Sequence, residues 1–373
     1  MKKRIFLIFA ANASSAKGDT ILMKNLYFPL VDLGHEVFFL NYNDLVKKSA
    51  NRNIEEISEN IKTIFFNEHK KNAFDFFFYY LHALEITSSA VNEISKSVFT
   101  INYTTNFHQF DMYREQIKCS SLNLFATKIA EKEMSQITSD YYWIPFAANP
   151  KYYCISNDKK IDKISLIGTC YGPRAYYAWR ILQNNIALNI YGPRWEVSVP
   201  KHIGRGAYAL LLSLGKNDKA IDQTYRFLNE QILLKILSSY KSSIKGALTD
   251  EEYFDNIATS QAVINFPESR YNHDYNNPQV LICTNLRDFE VTMCGTLLIT
   301  QRSEELKEFF KEDDEVIAFS NEFELVDKIK YYAQNPEAAK KIAMNGYLRA
   351  QKEHTWQERF KRLFDFINQK YGV

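Results

Sequence analysis

Apolar residues in this chain fall into two kinds of run that alternate along most of its length. Residues 4–10 are rich in β-branched and aromatic side chains, as expected of a strand covered on both faces. After a small polar loop over 12–19, Ile21, Leu22, Leu26, Leu30 and Leu33 recur at helical spacing up to Gly34, a natural helix stop. Residues 35–44, HEVFFLNYND, then read as a second strand. This strand, loop, helix, strand opening is half of a nucleotide fold, although it lacks the glycine fingerprint of a dinucleotide site. An amphipathic helix over 53–66 and strands over 74–81, 97–103 and 122–127 continue the pattern, and the 97–103 strand opens into a polar loop over 104–111. Asn149-Pro150 and the polar stretch 156–163 mark a linker.

The pattern restarts at residues 164–167, a strand that ends in Gly168-Thr169-Cys170-Tyr171-Gly172-Pro173-Arg174. A glycine-bearing turn between strand and helix lets backbone N–H groups approach a phosphate, and an arginine at the helix start can pair bidentately with its oxygens. The same residues also suit a plain strand-to-helix turn with a surface arginine. Residues 188–191 form the next strand, with Tyr191 and Gly192 at the carboxyl edge where such sheets hold ligands. A mostly helical insertion over 196–245 precedes a short strand and turn at 245–249, a helix over 250–260 and a strand over 262–266. A polar loop over 267–278 comes next, rich in Tyr and Asn.

Residues 285–300, NLRDFEVTMCGTLLIT, carry the densest information. Asn285 and Asp288 form a capping box, Gly295 ends the helix, and residues 296–300 are a strand apolar on both sides. Arg287, Glu290 and Cys294 fall at i, i+3 and i+7 and share one helix face. A helix start made of Asn285, Leu286 and Arg287 offers unpaired N–H groups, partial positive charge and a cation, which together make a seat for a diphosphate. Glu290, one turn deeper, is able to accept two vicinal hydroxyls, as a ribose presents them. The same spacing describes a solvated surface ion pair. Downstream, Asn321 with Glu324 and Thr355 with Glu358 read as further capping boxes. Pro336 opens another helix, and Phe360, Leu363, Phe364 and Ile367 form a last apolar stripe. His354 reads as structural.

RDFEVTMCGTLLIT at 287–300, the stretch 319–346 and EHTWQERF at 353–360 resemble the C-terminal half of the CgeB-like glycosyltransferases, within the GT4-like (group 1) enzymes of the GT-B superfamily. The similarity spans residues 164–366. It implies an α/β architecture of two Rossmann-like, doubly wound parallel-sheet domains facing across a cleft. Residues 1–155 would be the acceptor side and 160–352 the nucleotide-sugar domain with insertion 196–245, while 353–373 would form a helix crossing back to the first domain. The implied activity is metal-independent transfer of a sugar from a UDP- or GDP-type donor to a glycan, lipid, protein or small acceptor, with no cofactor. A nucleotide-sugar 2-epimerase and a non-catalytic sugar-nucleotide-binding or surface-assembly protein are the alternatives on the same fold.

Under this resemblance Gly168, Thr169, Arg174, Tyr191, Gly192, Asn285, Leu286, Arg287 and Glu290 would hold the donor nucleotide, and Tyr271, His273 and Asp274 the donor sugar. His108 and Asp111 would supply a base or polar catalytic group beside Glu290. Many GT4-like retaining enzymes carry a second glutamate eight positions before this one, and here Ile282 stands in its place, which leaves the stereochemistry open. No Asp-x-Asp occurs in a strand-end loop, since Asp313-Asp314 lies in a charged surface run, so no metal site is expected.

Composition narrows the class. A chain of 373 residues suits two cores, and 46% apolar with 24% charged residues is the balance of a globular protein. A net charge of +2 from 46 basic and 44 acidic residues gives no reason to expect a nucleic-acid partner. Cys119, Cys154, Cys170, Cys283 and Cys294 show no metal or disulfide spacing, which points to a reducing, cytoplasmic setting. The MKKR start followed by IFLIFAANA has the look of a short signal peptide, but its apolar run is short and serves as the first strand. No window reaches the ~18 apolar residues of a membrane helix.

Overall fold

A computed structural model describes residues 2–11, 20–81, 85–105, 110–156, 161–196, 232–270 and 280–373. The chain divides into two compact units, Met1–Tyr152 with Glu353–Val373, and Tyr153–Lys352.

The first unit is built on six strands, β1 (Arg4–Phe9), β2 (Glu36–Asn41), β3 (Phe76–Tyr80), β4 (Phe99–Thr104), β5 (Leu122–Phe125) and β6 (Tyr141–Trp143), in the order β2-β1-β3-β4-β5-β6. All pairings are parallel, with Ile5 opposite both Val37 and Phe76. Parallel strands need crossovers that cover both faces, which explains why β1 is buried from Ile5 to Phe9. One face is filled largely by aromatic rings: Phe6 meets Phe65 edge-on at 5.4 Å and stacks on Phe77 at 5.3 Å. The predicted helix over 21–33 forms in two pieces, a π-helical turn Met23–Tyr27 and an α-turn Phe28–Asp32. Pro29 lacks the N–H that an unbroken α-ladder requires there, which accounts for the widened turn.

The last helix, Trp356–Tyr371, belongs to this unit. Its stripe packs on the sheet, with Phe364 stacked on Phe76 at 5.5 Å and Phe360 edge-on to Phe78 at 6.2 Å. Thr355 caps it by accepting from Glu358 N at 3.1 Å, but the Glu358 carboxylate turns outward to Arg362, so this box is half made. The Asn321 cap is also half made, because Glu324 faces Ser320 N and Arg302. His354 is buried, its Nδ1 3.2 Å from Arg359 Nη2.

The second unit repeats the plan with β7 (Ile161–Ile167), β8 (Leu188–Tyr191), β9 (Ile244–Gly246), β10 (Ser260–Asn265), β13 (Leu297–Gln301) and β14 (Ile317–Phe319), in the parallel order β14-β13-β10-β7-β8-β9. Leu166, Ile190, Ile264 and Ile299 sit in its core. The stretch 267–278, predicted as one polar loop, begins as β11 (Glu268–Arg270), which pairs antiparallel with β12 (Val280–Ile282). Val280 and Ile282 are β-branched, the property that favours the second arm. Of the insertion over 196–245, residues 197–231 lie outside the described residues, and residues 232–243 are helical.

Candidate functional site

The helix Leu286–Met293 starts at the carboxyl ends of β10 and β13 because its cap is wired to both strands. Asn285 Oδ1 accepts from Arg287 N at 3.0 Å, and Asp288 Oδ2 answers by accepting from Asn285 N at 2.9 Å, a complete capping box. The other Asp288 oxygen accepts from Asn265 Nδ2 at 2.7 Å and Thr300 Oγ1 at 2.8 Å. Burial pushes the Asp288 carboxyl above its ordinary pKa, and these hydrogen bonds oppose the shift. Gly295, at φ +59, then turns the chain into β13.

Opposite this helix start, two glycine turns are laced together at the ends of β7 and β8. Gly168 N donates to Tyr191 O at 2.7 Å, Gly192 N to Gly246 O at 2.7 Å, and Trp195 Nε1 to Gly168 O at 2.7 Å. Gly192, at φ +131, packs so closely that an added Cβ would lie 2.6 Å from the Gly168 carbonyl carbon.

Two guanidinium groups converge on the open face of Gly168. A Cβ added there would lie 2.8 Å from Arg174 Nη1 and 3.5 Å from Arg287 Nη1. Arg174, at the first position of the helix Arg174–Gln183, is buried. It donates to Thr169 O at 2.9 Å, Phe266 O at 2.7 Å and Tyr171 Oη at 2.9 Å, and stacks over the Tyr171 ring. Burial lowers its pKa, and the nearby Arg287 cation adds to that shift. Arg287 donates from Nη2 to Tyr253 Oη at 3.2 Å, while its Nε is buried with no hydrogen-bond partner among the described residues. Burial opposes its charge, but Tyr253 and Glu290 hold its pKa above the ordinary value. Two cations set side by side at a helix N-terminus and a glycine turn make a pocket able to hold an anion.

Glu290 lies beneath this pocket at 1% exposure. One oxygen accepts from the Tyr153 hydroxyl and the other from the Tyr253 hydroxyl. Burial raises the pKa of both phenols, so both are protonated donors. Tyr153 also packs on Phe254 at 4.4 Å. The carboxylate predicted to meet a ribose diol is thus buried, with a tyrosine hydroxyl on each oxygen.

The structure thus gathers Gly168, Thr169, Arg174, Tyr191, Gly192, Asn285, Leu286, Arg287 and Glu290 at one edge of the second sheet. Asp111 stands in the first turn of the helix Phe110–Cys119, its side chain 90% exposed and paired with Arg114 at 2.8 Å. His108, Tyr271, His273 and Asp274 lie outside the described residues. Among the described residues no group of acidic, His or Cys side chains could hold a metal ion.

Sequence reasoning missed Tyr153, Tyr253, Asn265, Trp195 and Glu268. Glu268 stands directly across the β11–β12 ribbon from Ile282. Its Oε1 accepts from Gln301 Nε2 at 2.6 Å, and its Oε2 lies 3.5 Å from where a Cβ on Gly172 would be. The Thr249–Glu252 capping box, complete in the structure, fixes the start of the helix Asp250–Thr259 that carries Tyr253, and was legible as Thr-x-x-Glu. Beyond the Gly192 turn lies a cavity of about 380 Å³ bounded by Pro193, Arg194, Trp195, Ile244, Gly246 and Ala247.

Similar structures share this frame. Sucrose-phosphate synthase from Thermosynechococcus elongatus aligns over 100% of both chains with a TM-score of 0.63 at 11% identity. A glycosyltransferase from Rickettsia africae covers 99% of this chain and 98% of its own at TM-score 0.61 and 12% identity. HepE from Anabaena, solved with UDP-glucose, covers 98% and 100% at TM-score 0.58 and 9% identity. Two six-stranded parallel sheets flanked by helices are thus the GT-B fold. No curated protein matches the chain significantly. The profile of the glycosyl transferase-like family matches residues 177–365, just over half of the sequence and most of the unit that holds the arginine pocket. The chain belongs to the glycosyl transferase-like family.

Proposed function

We propose that this glycosyltransferase seats the diphosphate of its nucleotide-sugar donor between Arg174, Arg287 and the amino end of the Leu286–Met293 helix. The convergence of two guanidinium groups, Arg174 buried and Arg287 half-buried, on the bare face of Gly168 carries the reading. Two fixed cations neutralise the charge that develops on a departing diphosphate and need no bound metal to do so. The cavity beyond Gly192 is large enough for the nucleobase and shares that turn with the anion pocket. HepE, which was solved with UDP-glucose, makes a UDP-type donor the first to test. Glu268, at the carboxyl edge of the sheet, would receive a donor-sugar hydroxyl in place of a carboxylate at 282. His108 and Asp111 are the candidates for a catalytic base on the acceptor side, the acceptor being a glycan, lipid, protein or small molecule. Free thiols at all five cysteines support a cytoplasmic setting, and no described helix is long and apolar enough to cross a membrane.

Titration with UDP, GDP, ADP, CMP and dTDP tests the seat. One of them should bind, and Arg174→Met or Arg287→Met should each cost about 1.5–3 kcal/mol, the weight of a charged hydrogen bond. Unchanged affinity in both variants would remove the diphosphate from this pocket. Turnover of the matching nucleotide sugar should survive a chelator, and a chelated enzyme revived by Mn²⁺ would contradict the metal-free reading.

A further inference from the structure

Glu290 is the acid that the family resemblance assigns to the ribose, yet its carboxylate faces two phenols inside the second unit. Among the described residues, the Arg287 side chain makes its one hydrogen bond to Tyr253. The order of groups is therefore guanidinium, phenol, carboxylate, with the phenol between the opposite charges.

This order has a chemical consequence. A phenol has one proton to give, and here it goes to Glu290, so the phenolic lone pairs are left facing the Arg287 N–H groups. Without the carboxylate, the hydroxyl proton is free to turn toward the guanidinium and repel it. A direct Arg–Glu pair would use two guanidinium donors on the acid. The interposed phenol uses one, leaving Nη1 beside Gly168 and Nε with no partner among the described residues. The Tyr253 ring also lies 5.5 Å from the guanidinium carbon, so the same side chain restrains the cation by stacking. Restraint is needed because Arg174 carries a like charge at the same face of Gly168.

We propose that Tyr253 is a positioning residue of the anion pocket: its hydroxyl, anchored by Glu290, holds Arg287 in place so that Nη1 stays at the face of Gly168 where a diphosphate would sit. Glu290 then acts on the pocket through Tyr253. This rests on the reading of the pocket as the diphosphate seat.

Calorimetric titrations of the full chain with inorganic pyrophosphate, UDP and uridine separate the roles. Tyr253→Phe removes a single oxygen and should weaken pyrophosphate and UDP about tenfold, the effect of one lost charged hydrogen bond, with uridine unchanged. Glu290→Gln should show the same selectivity, and serves as the second variant should Tyr253→Phe lose its cooperative unfolding. In an Arg287→Met background Tyr253→Phe should change nothing further, since the effect passes through that arginine. An equal loss for uridine and UDP would place the network on the ribose and overturn the proposal. So would diphosphate affinity held within about twofold in both variants. Wild-type protein that binds neither pyrophosphate nor any nucleotide would instead overturn the donor-site reading itself.

Discussion

Gly192→Ala tests the packing on which the anion pocket is built. The residue sits at φ +131, and an added Cβ would lie 2.6 Å from the Gly168 carbonyl carbon and closer still to its oxygen. Relaxed carbon contacts lie near 3.5–4.0 Å, so the overlap is roughly an ångström against main chain, which cannot rotate away as a side-chain tip can. Gly246→Ala is the control, at φ +82 with nothing within 4 Å of the new atom. Backbone strain alone should cost the control about 1–3 kcal/mol. Gly192→Ala should add a further ~1–3 kcal/mol of overpacking, a large part of a stability near 5–15 kcal/mol. Urea unfolding followed by tryptophan fluorescence measures the difference, and Trp195, buried and bonded to Gly168 O, reports on this turn directly. Because Gly168 carries the arginine pair, pyrophosphate affinity should fall in Gly192→Ala and not in the control. If the two variants unfold within about 0.5 kcal/mol of each other, the close approach of the two turns is not what fixes the pocket.

Other consequences are measurable in the same preparations. Arg359 donates to Pro145 O at 3.3 Å and Glu353 O at 3.1 Å, so Arg359→Met should destabilise the first unit by about 2–4 kcal/mol in urea, and Arg359→Lys, lacking the planar fork, should recover less than half. Hydrogen bonding to Arg302 holds the Glu324 carboxyl at about 2, below its ordinary 4.5. A depressed folded pKa contributes stability above the unfolded value and loses it as pH falls from about 4.5 toward 2, so the acid slope of the urea midpoint should flatten in Glu324→Gln. Ellman's reagent should modify the exposed Cys154 in the folded protein, whereas buried Cys170, Cys283 and Cys294 should react only after unfolding. Glu268→Gln should lower turnover more than nucleotide affinity if its carboxylate meets the donor sugar, and the reverse pattern would place it on the nucleotide.

Most of the strand plan was legible because parallel strands buried on both faces leave long apolar runs that little else produces. Residues 188–191 and 296–300 illustrate this, matching β8 and all but one residue of β13. Elements held by pairing more than by apolar runs were not legible. β11 opens in the polar sequence ESR and depends on β12 for its ladder, and β14 is three residues long. Caps were half legible for a related reason. Asn285 and Asp288 complete their box where the acid is buried against Asn265 and Thr300, whereas Glu324 and Glu358 have arginines nearby and turn to those instead.

The site divides along the same line. Arg287 and Glu290 lie three residues apart on one helix, so the sequence alone puts them on a shared face. What that face touches depends on residues 137 and 37 positions from Glu290, brought in by the linker and by the helix after β9. No periodicity encodes those meetings, and a tyrosine in an apolar stripe reads as core. The difference decides chemistry. A glutamate near a helix start, taken alone, is equally a ribose ligand or half of an ion pair. With a phenol on each oxygen it becomes a buried anchor whose charge reaches the pocket through Tyr253. Local spacing could identify which residues carry charge, but only the crossovers determine which of them face the ligand and which hold the others in place.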